Sequence, residues 1–336
     1  MLFALLMLAI TASLVACMVP RLDRLLAWAL GVGLTLLAGF RTGGFDYEEY
    51  LQIIDIVQAA AEEDWPTRLF FAKDPLFLLI IEAAASFTQH PRPVFLAVAA
   101  ISVFTKVAAT AAIPRRRTLF LAAYSVFLAP GLEFAAIRAG MAIGLLMLAL
   151  SAVSRWRASW AVLAVLGHYS VAIAWMGRLL STHRWMTTLV LALALPLIVP
   201  VLAGFGQDDP RYAAYFQNPG TLMALLLPSL TLAANLGLRA ARRAAPVPSP
   251  LAADAAMTAS LLCAALALLF ALPFVTVAYR IMEIAWVLML AQWLALAAPR
   301  SRGLVLRLAC GGMLLAVLAL TNVLRDTWTI LVDMPL

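Results

Sequence analysis

Charge is scarce in this chain: 24 Lys or Arg and 17 Asp or Glu in 336 residues, 12% charged, where soluble domains carry about a quarter. With 65% hydrophobic residues and a mean hydropathy of +0.97, that scarcity excludes an ordinary soluble domain. Histidine and cysteine are scarcer still, three of each. Cys17, Cys263 and Cys310 lie scattered in apolar runs, without the pairing of a disulfide framework, and read as small buried residues. The histidines and cysteines show no zinc-ligand spacing, so no metal and no cofactor is expected. Long polar stretches are missing too. No linker could join a soluble domain, and residues 1–336 read as one integral membrane domain.

What the chain does have is apolar runs. Candidate spans fall at 2–19, 25–40, 75–89, 93–113, 119–131, 139–153, 159–181, 186–203, 221–238, 254–273, 281–298 and 304–322. They predict an all-α, polytopic transmembrane bundle of about ten to twelve spans. The first run lacks a basic leader and a small-residue cleavage site, and Arg21 and Arg24 follow it, so it reads as a retained span. The net charge of +7 does not point to nucleic acid, because most basic residues sit in short links between spans. Arg115-Arg116-Arg117, Arg155/Arg157, Arg184, Arg239/Arg242/Arg243 and Arg300/Arg302/Arg307 place those links in the cytoplasm. Parity then calls for half-helices. The 75–89 run is short and returns through Gln89-His90-Pro91, and 159–181 breaks at Gly167-His168-Tyr169-Ser170. One ordinary span with His168 at mid-depth is the alternative for the second.

Acids partition the opposite way. Asp46, Glu48, Glu49, Asp55, Glu62, Glu63, Asp64 and Asp74 mark 41–74 as periplasmic, and Asp208 and Asp209 mark 204–220. Within the first segment Tyr47, Tyr50, Leu51, Ile54, Val57 and Ala61 recur at helical spacing, opposite Glu48, Glu49, Gln52, Asp55, Gln58 and Glu62. This predicts an amphipathic helix along the outer membrane surface, capped by Asp46 with Glu49 three residues on.

Arginine beside a membrane span is costly, so each one marks a candidate site. Arg41, Arg138, Arg211 and Arg280 stand at outer ends of apolar segments, with Arg178 a weaker fifth. Planar guanidinium forks suit phosphate oxygens. Arg41-Thr-Gly-Gly-Phe-Asp46-Tyr47 turns tightly at the boundary, with Tyr50 one helical turn on. Asp74-Pro75 opens the next run, where the competing reading is a plain N-cap and N1 pair. Arg138 is followed by small residues that leave room beside it, and a structural pair with Glu133 is its competing reading. His168 is the candidate general base, since imidazole takes up protons near neutrality, and Asp46 is the second choice. Tyr212 and Tyr215 flank Arg211, and Glu283 stands three residues from Arg280, where the two could simply pair.

In order along the chain, these motifs resemble the EpsG-like branch of the Wzy-type polysaccharide polymerases. The resemblance runs through Arg41…Asp46-Tyr47, Asp74-Pro75-Leu76-Phe77, Ile137-Arg138-Ala139-Gly140-Met141-Ala142, Gly167-His168-Tyr169-Ser170, Arg211-Tyr212-x-x-Tyr215 and Arg280-x-x-Glu283. The chain departs from the pattern where Ala139 stands for Gln, Gly167 for Phe, and Glu283 near an expected aromatic. The resemblance implies a metal-independent membrane glycosyltransferase of the bacterial inner membrane. It would join oligosaccharide repeat units carried on undecaprenyl pyrophosphate at the periplasmic face, amid membrane lipid. Chain-length regulator and export proteins are the implied partners. Arg138, His168 and Asp46 would be catalytic. Arg41, Tyr47, Tyr50, Asp74, Arg211, Tyr212, Tyr215, Arg280 and Glu283 would bind substrate. Three rivals share parts of this pattern. A lipid-linked glycan flippase calls for internal repeats and charges on both sides of the midplane. A membrane O-acyltransferase calls for His168 to be reachable from the cytoplasm, and an O-antigen ligase for a large periplasmic loop.

Overall fold

Helices satisfy their own backbone groups without water, and this chain is built from them. The computed structural model describes residues 2–44, 46–113, 115–152, 156–182, 222–244, 249–272, 274–296 and 302–324. The first described helices are α1 (Leu2–Met18), α2 (Asp23–Gly39), α3 (Tyr47–Ala59), α4 (Trp65–Ala72) and α5 (Pro75–Ala85). Next come α6 (Arg92–Ala109), α7 (Arg117–Phe127), α8 (Ala129–Leu132), α9 (Ile137–Ser151) and α10 (Arg157–Gly167). The last are α11 (Ala172–Thr182), α12 (Leu226–Ala244), α13 (Asp254–Phe270), α14 (Val275–Ala295) and α15 (Arg302–Leu324). No strand occurs among the described residues, so the fold is all-α.

Pro20–Gly39, Arg92–Ala112 and Val275–Ala295 are long and apolar enough to cross a bilayer, and further apolar helices of 10–17 residues accompany them. This is a membrane protein. α5 is a half-length helix: its 11 residues rise about 16 Å against a hydrocarbon core of about 30 Å. The interruption within 159–181 is also present. α10 ends at Gly167, His168 is extended (φ −170°, ψ 120°), and a 3₁₀ turn at Tyr169–Val171 precedes α11. The span expected at 186–203 and the outer segment 204–220 lie outside the described residues. Of the cysteines, Cys263 and Cys310 are buried as expected, whereas Cys17 is exposed on α1.

Packing divides the chain into two compact units, 1–171 with 318–336, and 172–317. In the first, α6 packs against both α2 and α9, α10 packs on α9, and α1 packs on α7. Small residues make the close approaches possible. A Cβ on Gly39 would lie 2.9 Å from the Leu96 Cα, and one on Gly144 would lie 2.6 Å from the Ser102 carbonyl oxygen. α7 has no side-chain cap of its own. Asp23 supplies one from α2, accepting the N–H groups of Arg117 (3.2 Å) and Thr118 (3.0 Å).

α3 forms where the helical spacing puts it, although Ala61 falls beyond its end. Its apolar face is covered by protein rather than laid on a membrane surface. Tyr50, Ile53, Ile54 and Val57 are buried, with the Tyr50 ring edge-on to Phe77 of α5 (5.8 Å) and Phe95 of α6 (6.5 Å).

In the second unit α13 packs against α11, α12 and α14. Neutral polar groups join three of them. Asn235 Nδ2 donates to Ser260 Oγ (2.8 Å), Ser260 Oγ to Gln292 Oε1 (3.1 Å), and Gln292 Nε2 to the Ala256 carbonyl (2.9 Å). Trp286 Nε1 donates to Thr231 Oγ1 at 2.9 Å.

Candidate functional site

The site begins with a strained turn. α4 ends at Lys73, a non-glycine residue at φ 67°, where an L side chain is disfavoured. Pro75 then keeps the preceding Asp74 extended (φ −127°, ψ 128°) while itself starting α5. Asp74 occupies the N-cap position but makes no capping hydrogen bond. Its carboxylate faces inward instead, 2% exposed, and Oδ2 accepts from Arg138 Nη1 at 2.9 Å. The same oxygen lies 3.4 Å from His168 Nδ1. Arg138 Nη1 donates also to the Ala72 carbonyl at 3.1 Å, so the end of α4 and the start of α5 grip one guanidinium.

The break after α10 delivers the histidine. With Nδ1 on the carboxylate, Nε2 has no hydrogen-bond partner among the described residues. An imidazole oriented at one nitrogen and open at the other is the arrangement a general base needs.

Arg41 lies just beyond α2, 4% exposed. Gly44, at φ 130°, gives the turn into α3 a conformation closed to other residues. The Arg41 guanidinium carbon lies 5.1 Å from the centre of the Phe95 ring, 5.8 Å from Tyr47 and 6.0 Å from Tyr50. Tyr47 stacks on Phe95 at 5.2 Å. The Arg138 guanidinium carbon lies 5.4 Å from the centre of the same Tyr50 ring and 5.7 Å from Phe77. A buried and a part-buried arginine therefore share Tyr50. Rings stabilise the cations where water is excluded. Burial lowers the Arg41 guanidinium to about 10, against the opposing pull of Tyr50, Asp46 and Glu133, and it stays cationic at neutral pH.

Each arginine keeps donor atoms in reserve. Arg41 spends Nη1 on the Glu133 carbonyl (3.2 Å), leaving buried Nε and Nη2 without partners, and Arg138 Nε is likewise unpartnered. Buried donors without acceptors are costly, and native sites that keep them call for an explanation. Oxygens of an anionic ligand would satisfy them.

A profile of the EpsG family matches residues 24–327, nearly the whole chain. The chain belongs to the EpsG family. No curated protein and no solved structure matches it. Membership points to exopolysaccharide polymerisation as the class of activity.

The EpsG-family motifs named from the sequence do not all converge. Arg41, Tyr47, Tyr50, Asp74, Arg138 and His168 gather in the first unit, as described above. Asp46 sits at the N-cap position of α3 but makes no capping hydrogen bond, so the capping box is not formed. Glu133 is not the partner of Arg138; Asp74 is. Arg280 pairs with Glu283 (3.3 Å) one turn on within α14 of the second unit. Arg178, on α11, lies over Trp175 at 5.1 Å. Arg211, Tyr212 and Tyr215 lie outside the described residues.

The largest omission from the sequence reading is Lys106, in the last turn of α6 and 0% exposed. Its Nζ donates to Glu133 Oε1 (2.9 Å), Ser102 Oγ (2.6 Å) and the Gly140 carbonyl (2.6 Å). Ser102 Oγ (2.8 Å) and Tyr124 OH (2.6 Å) donate to the same Glu133 oxygen. The signal was present: an ionisable residue inside an apolar span marks a site by default. This network positions both arginines. Glu133 presents its carbonyl to Arg41, and Lys106 holds the first turn of the helix that carries Arg138. On the exposed side Lys73 pairs with Glu49 (2.8 Å), tying the strained turn to α3.

Proposed function

We propose that this EpsG-family protein joins lipid-linked oligosaccharide repeat units into polysaccharide at the outer face of the bacterial inner membrane. The carrier would be undecaprenyl pyrophosphate. One observation carries the reading: Arg41 and Arg138 share Tyr50 and keep unpartnered donors, and Arg138 shares the Asp74 carboxylate with His168. A sugar hydroxyl of the incoming unit attacks C1 of the growing chain. The bond between C1 and the pyrophosphate oxygen breaks, its electron pair leaves with that oxygen, and His168 Nε2 takes the hydroxyl proton. Arg41 and Arg138 stabilise the charge gathering on the departing pyrophosphate. Asp74 orients His168 and stabilises the imidazolium as it forms. Tyr47 and Tyr50 wall the anion site, with Asp46 at its exposed edge.

The test is the glycan profile of a deletion strain complemented with wild type or with Arg138→Ala. Loss of polymer, with single lipid-linked repeat units accumulating on the outer face, is expected. Accumulation on the cytoplasmic face would assign the chain to transport instead. Polymer of full length and yield would remove Arg138 from the reaction.

A further inference from the structure

A second cluster of polar groups lies along the same helices. α3 and α5 run side by side in one direction: Tyr50 meets Phe77 near their starts, and Gln58 and Glu82 line a common cavity further on. That cavity holds about 340 Å³, a size in the range of small-ligand sites. Val57 and Ile81 give it an aliphatic floor, and Gln58, Arg68, Glu82 and Gln89 its polar wall. Arg68 Nη1 donates to Glu82 Oε1 at 2.6 Å. Gln58 Nε2 and Arg68 Nε are buried donors without partners.

Charge distinguishes this cavity from the site at Arg138. There, Arg138 pairs with Asp74, Arg41 donates to the Glu133 backbone carbonyl rather than to a carboxylate, and the Glu133 carboxylate is engaged by Lys106. In the cavity, Arg68 and Glu82 cancel each other. Such a site has little pull on phosphate. It has donors to spare, a carboxylate that accepts, and aliphatic side chains, which together suit the hydroxyls and C–H groups of a sugar. Register sets the separation. Gln58 lies eight residues beyond Tyr50 on α3, and Glu82 eight beyond Asp74 on α5, about 12 Å in each case.

We propose that the cavity lined by Gln58, Arg68, Glu82 and Gln89 is a glycan subsite, holding a neutral sugar of the repeat unit at a distance from the arginines that hold its pyrophosphate. This inference rests on the polymerase reading. It adds that a sugar-recognising element is built into the α3–α5 pair.

The test uses the full-length protein in lipid nanodiscs and two probes measured separately. One is the phosphate-free oligosaccharide released from the encoding organism's own exopolysaccharide, followed by saturation-transfer NMR. The other is inorganic pyrophosphate, followed by calorimetry. Gln58→Ala, at a partly exposed position that leaves the Arg68–Glu82 pair intact, should weaken oligosaccharide binding roughly three- to tenfold, the worth of one hydrogen bond. It should leave pyrophosphate binding unchanged, and Arg138→Ala should do the reverse. Equal oligosaccharide binding by wild type and Gln58→Ala would overturn the subsite, as would a loss of pyrophosphate binding in Gln58→Ala. No pyrophosphate binding by wild type would instead overturn the anion site on which the polymerase reading stands.

Discussion

The first unit buries ions where the second mostly buries amides and hydroxyls. Lys106, Glu133, Arg41 and Asp74 are all at most 4% exposed, and all four serve or adjoin the Arg138 site. In the second unit Thr231, Asn235, Ser260 and Gln292 are at most 1% exposed and join α12, α13 and α14 without a net charge. Its buried carboxylate, Glu283, pairs within its own helix. The neutral network is nearly closed, with Asn235 Oδ1 left over, whereas the first unit leaves donors unpartnered on both Arg41 and Arg138. Neutral hydrogen bonds are enough to hold membrane helices together. A buried ion pair is seldom needed for that purpose, since apolar replacements are often as stable. The ions of the first unit are therefore explained by what they hold in place.

Breaking the Lys106–Glu133 pair should produce the largest effect. Lys106→Met leaves Glu133 buried without its cation and should cost about 3–5 kcal/mol, seen as a fall in melting temperature of the purified protein. The double variant Lys106→Met/Glu133→Gln should regain part of that stability while still lacking polymerase activity, because Arg138's helix has lost its tether. Full activity in the double variant would make the network purely structural.

Arg138→Lys keeps the charge but loses the unpartnered Nε donor and the planar guanidinium that lies near the Tyr50 and Phe77 rings. Polymer yield should fall about 10²-fold or more with little change in melting temperature. Yield near wild type would show that point charge alone suffices. His168→Ala should reduce polymer formation by about 10²-fold, at the lower end of what general-base removal costs, since the arginines remain. If Asp46→Asn caused the larger loss, the base would be Asp46.

Ser260→Ala sharpens the comparison from the other side. It removes the hydroxyl between Asn235 and Gln292, and should cost about 1 kcal/mol in stability, in line with hydrogen bonds between membrane helices. Polymer yield should not change. An activity loss there as large as that of Arg138→Lys would erase the distinction between the two units.

Composition by itself determined the solvent and the fold class. With charge this sparse and apolar runs this long, only helices satisfy the backbone. Period-3.6 spacing placed α3 within two residues, and Gly167-His168 marked the break after α10, because local preferences dominate there. The arginines were legible because each is expensive beside a membrane. Their partners were not. Asp74 looks like a helix cap beside Pro75, and only the packing of α4, α5 and α9 turns its carboxylate onto Arg138, 64 residues away. Glu133 looks like Arg138's partner by proximity in sequence, yet Lys106 of α6 takes its carboxylate at the end of α8. Sequence carries the cost of each buried charge, residue by residue. Which opposite charge offsets it depends on which helices touch, and only the tertiary structure decides that.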